Sequence, residues 1–183
     1  MPLIFRRFYQ VVAATIGLLL ALAAQASDKA TIVADSQQAL ESLGGHVSGV
    51  GQLLEKAAGV LVFPDVVKVG FGGADEYGDG CLLVKGKPVA FYSTSGAAYG
   101  LPLGVRSKSE VVLFMTPQAL KDFRAGPAWQ VGVNGDITLV RMAAGGGIDA
   151  ATTGEPILGF IFSDKGLARG LTLDGASFTR LAR

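Results

Sequence analysis

The residue types that most often carry chemistry are scarce in this chain, which has one histidine, His46, and one cysteine, Cys81, among 183 residues. A hydrolytic triad with a histidine base would have to use His46, and no G-x-S-x-G elbow supplies the usual nucleophile. The two residues together fall short of a zinc site, since a structural site takes four ligands and a catalytic one three and a water. The stretch VGFGGADEYGDG, Val69 to Gly80, is the other candidate, with five glycines and three acids in twelve residues. A phosphate-binding P-loop needs a lysine and then serine or threonine at a helix start, whereas here Cys81 and Leu82 follow on an apparent strand. A dinucleotide fingerprint opens a helix in a βαβ unit, but Gly70, Gly72 and Gly73 lead to another strand. Asp75, Glu76 and Asp79 could offer oxygens to calcium; without EF-hand spacing or helical flanks they read first as a solvated acidic turn. The glycines are left with a mechanical task, letting neighbouring strands bend and approach closely. With no catalytic set in view, the chain is expected to bind rather than transform, and to need no cofactor or metal.

Binding chemistry is more visible. Phe71, Tyr77, Phe91, Tyr92, Tyr99 and Trp129 lie on or beside glycine-rich strands, and Lys68, Lys85, Lys87, Arg106, Lys108, Lys165 and Arg169 stand near strand ends. Apolar groups flanked by cations could receive an acyl chain and its phosphate head group. The expected site therefore has Lys68, Lys85, Lys87, Arg106 and Lys108 on head-group phosphates and Phe71, Tyr92 and Tyr99 against the acyl region. The plainer alternative for each residue is a core aromatic or a solvated lysine. His46 is expected on a helix surface and Cys81 buried in a strand.

Those residues must be placed outside the cytoplasm if the N-terminus does what its pattern suggests. Arg6 and Arg7 precede an apolar run, Val11 to Ala24, and Ala24-Gln25-Ala26 has the small residues of a signal-peptidase site, so residues 1–26 read as a secretory signal. The apolar run is shorter than the ~20 residues that span a bilayer. Loss of that segment removes two arginines and no acid, moving the formal charge from +1 to −1. A near-neutral chain has no electrostatic footprint for nucleic acid. A lone cysteine also excludes an internal disulfide in the periplasmic or secreted setting.

The elements that position the site follow from periodicity. Ile32, Val33, Leu40, Leu43, Val47, Val50, Leu53 and Leu54 recur at spacings of three and four, predicting two N-terminal helices divided at Gly44-Gly45. Beyond Gly59 come short β-branched and aromatic runs cut by Gly, Pro, Asn and Asp, which is strand punctuation. One helix interrupts them, with Thr116 as N-cap, Pro117 first, Leu120 and Phe123 on one face and Gly126 at its end. Lys85-Gly86-Lys87-Pro88 and Asn134-Gly135-Asp136 predict hairpin turns. The expected fold is α+β, a single domain over residues 27–183 with a mostly antiparallel, strongly bent sheet, barrel-like or two-layered, packed by N-terminal helices and one short mid-chain helix.

The segments Ala57–Gly73 (AAGVLVFPDVVKVGFGG), Tyr77–Val84, Phe91–Val105, Val111–Phe123 and Ser163–Gly175 (SDKGLARGLTLDG) together resemble the SYLF lipid-binding domain, in its bacterial secreted form related to a yeast actin-patch module. The resemblance implies phospholipid binding without catalysis, with phosphoinositides as ligands of eukaryotic members. Actin binding is not expected of a secreted relative. Where such domains usually carry a G-L-Q-x-G-x-Q run, this chain has Pro102 and Arg106, which adds a cation. The expected function is binding of phospholipid or membrane surface in the cell envelope. The alternative is a protein-interaction or structural module of the periplasm, pairing glycine-rich edge strands with an envelope partner.

Overall fold

The β-branched runs after Gly59 pair into one sheet in a computed structural model that describes residues 28–69, 75–97, 107–141, 147–149, 154–168 and 171–182. The strands are β1 (Gly59–Val69), β2 (Asp75–Val84), β3 (Lys87–Ala97), β4 (Ser107–Phe114), β5 (Ala128–Gln130), β6 (Thr138–Leu139), β7 (Ile157–Ser163), β8 (Gly166–Leu167) and β9 (Ser177–Arg180). Their order is β5-β9-β3-β2-β1-β4-β7-β6, with β8 also on β7. Every pairing of named strands is antiparallel except β6 with β7. The sheet curls into a half-barrel in a single α+β domain, as its sequence leads one to expect.

Both faces of the sheet are covered, which explains strands that read as unbroken apolar runs rather than alternating ones. Leu61, Phe63, Leu82, Val112 and Phe114 point to one face, with Phe123, Trp129, Leu173 and Phe178 packed over them. Val60, Val62, Cys81, Leu83, Val111 and Leu113 point to the other, under Ala39, Leu43, Val47, Val50 and Leu53. Ala39 and Leu43 come from α1, which covers residues 28–46, Val50 and Leu53 from α2 (Val50–Lys56), and Val47 from the link between them. The helix break differs from expectation. α1 continues through Gly44 and Gly45, and the chain turns at Gly49, whose φ of 88° is the left-handed angle that glycine adopts at low cost.

The curl has a local cause. The register of β1 shifts against β2 between Val62 and Val67 and against β4 between Phe63 and Val66, a bulge at Pro64-Asp65. There the Pro64 carbonyl accepts from the Ser109 hydroxyl at 2.7 Å. A Cβ on Gly78 would lie 2.7 Å from the Asp65 carbonyl oxygen, so the glycines of β2 do what was expected of them. One other expectation changes. Lys85-Gly86 is a tight turn with φ of 51° and 73°, but Asn134-Gly135 is not. Gly132 takes the positive φ of 83° instead, while the Asn134 side-chain oxygen accepts from the Gln130 N–H at 2.8 Å. The glycines of β2, Gly78 and Gly80, lie on an interior strand with β1 and β3 as its neighbours, and the described sheet ends in strands of three and two residues.

Candidate functional site

After β4 the chain enters α3 (Pro117–Arg124), capped as expected: Thr116 is extended and its hydroxyl oxygen accepts from the Ala119 N–H at 3.1 Å. Phe123 is fully buried, its ring 4.6 Å from Phe114, 4.9 Å from Tyr92 and 5.9 Å from Trp129 between centroids. Leu120 seats over the start of β1, where a Cβ on Gly59 would come 2.8 Å from Leu120 Cδ1. With Leu120 and Phe123 held inward, the helical step leaves Lys121 and Arg124 exposed in the last turn, where cations also complement the free carbonyls of a helix end.

Two further cations converge on that flank. Lys85 is the only non-glycine residue with positive φ among the described residues, and Arg180 ends β9. Between them lies an open groove of about 730 Å³, ringed by Lys85, Lys121, Arg124 and Arg180. Its apolar part is aliphatic, from Ala58, Pro117, Leu120 and Ala125. Among the described residues no carboxylate lines it, and the salt bridges all belong to Lys108. Like charges held together without counter-charge favour an anionic occupant.

Tyr92 stands directly opposite Arg180 in the β3–β9 ladder, so the two side chains share a face. It is only 1% exposed and its hydroxyl has no hydrogen-bond partner. Such a group costs about 1–3 kcal/mol. Burial pushes the phenol above its usual value, and the charges of Arg180 and then Arg124 pull it back, so both guanidinium fields reach the hydroxyl.

A second charged cluster lies at the opposite end of β4. Lys108 Nζ is 2.6 Å from Glu76 Oε2 and 3.1 Å from Glu110 Oε1, with side chains 3%, 8% and 2% exposed. Burial drives the Glu110 carboxyl up, against the opposing pull of Lys108 and with some help from Glu76; Thr94 Oγ1 donates to Glu110 Oε2 at 3.5 Å. Glu76 Oε1 has no partner. The acidic stretch is thus strand rather than turn: Asp75 is exposed, Glu76 is buried, and Asp79 accepts from the Tyr77 hydroxyl at 2.6 Å.

Of the expected site residues, Lys85 joins the groove and Lys87 is exposed on β3 beside the same turn. Two are corrected in placement. Lys108 is drawn inside because two carboxylates need its charge, and Tyr92 is drawn inside because its ring completes the cluster around Phe123. Lys68 pairs with Glu76 in the β1–β2 ladder; its side chain, and Phe71, Tyr99 and Arg106, lie outside the described residues, as does the expected signal segment. Lys121, Arg124 and Arg180 were not anticipated, although Lys121 and Arg124, three apart beside the inward Leu120, carried a helical-flank signal. Cys81 is buried as expected, its Sγ 3.4 Å from Ser36 Oγ, and His46 is half-buried at the end of α1. Among the described residues no three His, Cys, Asp or Glu side chains gather as metal ligands, and no helix is long and apolar enough to cross a membrane.

Residues 95–182 match a family model described as Ysc84, Las17-binding protein actin regulator. The match includes α3 and β9, hence Lys121, Arg124 and Arg180, while Lys85 and Tyr92 precede it. No curated protein matches the chain significantly. The matched family is associated with lipid binding and actin-related roles. That match supports the resemblance to the SYLF domain over residues 95–182.

Proposed function

We propose that the protein binds phospholipid or a membrane surface in the cell envelope and carries out no chemistry on it. The observation that carries this reading is the groove beside α3, where Lys85, Lys121, Arg124 and Arg180 surround an aliphatic floor with no carboxylate among the described lining residues. Cations from three separate elements give an anionic head group several charge-assisted hydrogen bonds, and the floor offers the first carbons of a chain an apolar seat. The family's association with lipids agrees with this use of the groove. The actin-related role is not carried over, because the proposed compartment holds no actin.

Co-sedimentation with vesicles tests the reading. Phosphatidylglycerol vesicles should pellet the protein, phosphatidylcholine vesicles should do so weakly, and the difference should shrink at high salt as exposed charges are screened. Absence of pelleting on both would overturn it.

A further inference from the structure

We infer that the groove is a discrete site for a single phosphate oxyanion, with Arg124 and Arg180 as its guanidinium ligands and the Tyr92 hydroxyl, buried behind the groove lining and opposite Arg180 in the ladder, as a further donor. This rests on the membrane-binding reading and adds to it a ligand class and a donor set. A diffuse basic face needs nothing but exposed lysines. Here a residue 1% exposed keeps an unpartnered hydroxyl on the same sheet face as Arg180 and with its ring packed 4.9 Å from Phe123, the neighbour of Arg124. A buried polar atom without a protein partner marks a place where a ligand completes the hydrogen bonding. Phosphate suits it: its oxygens accept from a phenol while two guanidinium forks engage the others. Both arginines are exposed, so their side chains can part to admit the anion and close over it. Lys85 and Lys121 stand at the rim as point charges, and Leu120 lies alongside, which favours a phosphate ester bearing an apolar substituent over the bare ion.

The test is calorimetric titration of the protein with inorganic phosphate, with glycerol 3-phosphate, and with phosphatidylglycerol vesicles. Y92F, R124Q/R180Q and the distant control K165Q are compared with the parent. Both soluble phosphates should bind more tightly than sulfate at equal ionic strength. Y92F removes one oxygen, keeps or raises the melting temperature, and should weaken phosphate binding about five- to tenfold. R124Q/R180Q should abolish it and K165Q should leave it unchanged. The inference is overturned if neither soluble phosphate binds, if Y92F binds as the parent does, or if vesicle binding survives R124Q/R180Q. In that last case the membrane reading stands without this site. Arginine-dependent phosphate binding with no vesicle binding supports the site and removes the membrane as its source of ligand.

Discussion

Replacing Lys108 by methionine removes the one cation from the buried cluster and leaves Glu76 and Glu110 to face each other. The ammonium contacts both carboxylates, at 2.6 and 3.1 Å, in a place where none of the three side chains is more than 8% exposed. Breaking a buried pair by deleting one partner costs about 3–5 kcal/mol, against roughly 5–15 kcal/mol for the stability of a whole domain. In a domain of this size that is a fall of roughly 6–20 °C in Tm. The pH dependence identifies the cause. Burial already raises the Glu110 carboxyl above its usual 4.5 in the folded state. Its stabilising contribution is therefore complete below the unfolded value and drains away as pH rises through the folded one. Without Lys108 the folded value climbs further, so the deficit of K108M should be large at pH 7.5 and shrink toward pH 5. Adding E110Q, an amide in place of the protonated acid, should recover part of the loss at pH 7.5 and flatten the pH response. Melts followed by circular dichroism at both pH values decide the matter. A K108M midpoint within about 2 °C of the parent at pH 7.5, or a deficit that grows on acidification, would refute the reasoning.

Three other substitutions probe the elements that hold the groove and the bulge that bends the sheet. T116A removes the acceptor that caps α3 and should cost about 0.5–2 kcal/mol in urea unfolding; vesicle binding should weaken with it, since α3 carries Lys121 and Arg124. K85N relieves a lysine held at φ 51° and should gain about 1 kcal/mol, while losing vesicle binding; a variant that changes neither would break the link between that turn and the site. G78A places a methyl group 2.7 Å from the Asp65 carbonyl oxygen, and overpacking of that kind should cost about 1–3 kcal/mol in chemical denaturation.

The parts of the fold legible in the sequence were those governed by local chemistry. Thr116-Pro117 announces a helix start because a hydroxyl cap and a missing N–H both act within one turn. The Lys85-Gly86 turn and the glycines of β2 are likewise local. The helix boundary at Gly44-Gly45 differs because packing outweighs propensity: Leu43, and Val47 just past the helix end with its N–H donating to the Leu43 carbonyl at 2.9 Å, are both buried on the sheet, and a helix carried through the glycines places them there. The site was harder to read for the same reason. Lys108 and Lys85 look alike along the chain, yet one meets Glu76 across two ladders and Glu110 two residues along its own strand, and the other meets none. Arg180 joins Lys121 and Arg124 only when β9 returns beside β3, a contact between residues far apart in the chain.

The cover that α1 lays over the sheet makes the leading helix a shield. Val60, Val62, Val111, Leu113, Phe160 and Phe162 all lie beneath α1 and α2 at 8% exposure or less. Proteolytic trimming of residues 28–46 would uncover a broad ledge of β-branched and aromatic side chains, the sort of surface that sticks to copies of itself. A nick in one surface helix, well away from the groove, should therefore turn a dispersed molecule into a clumping one.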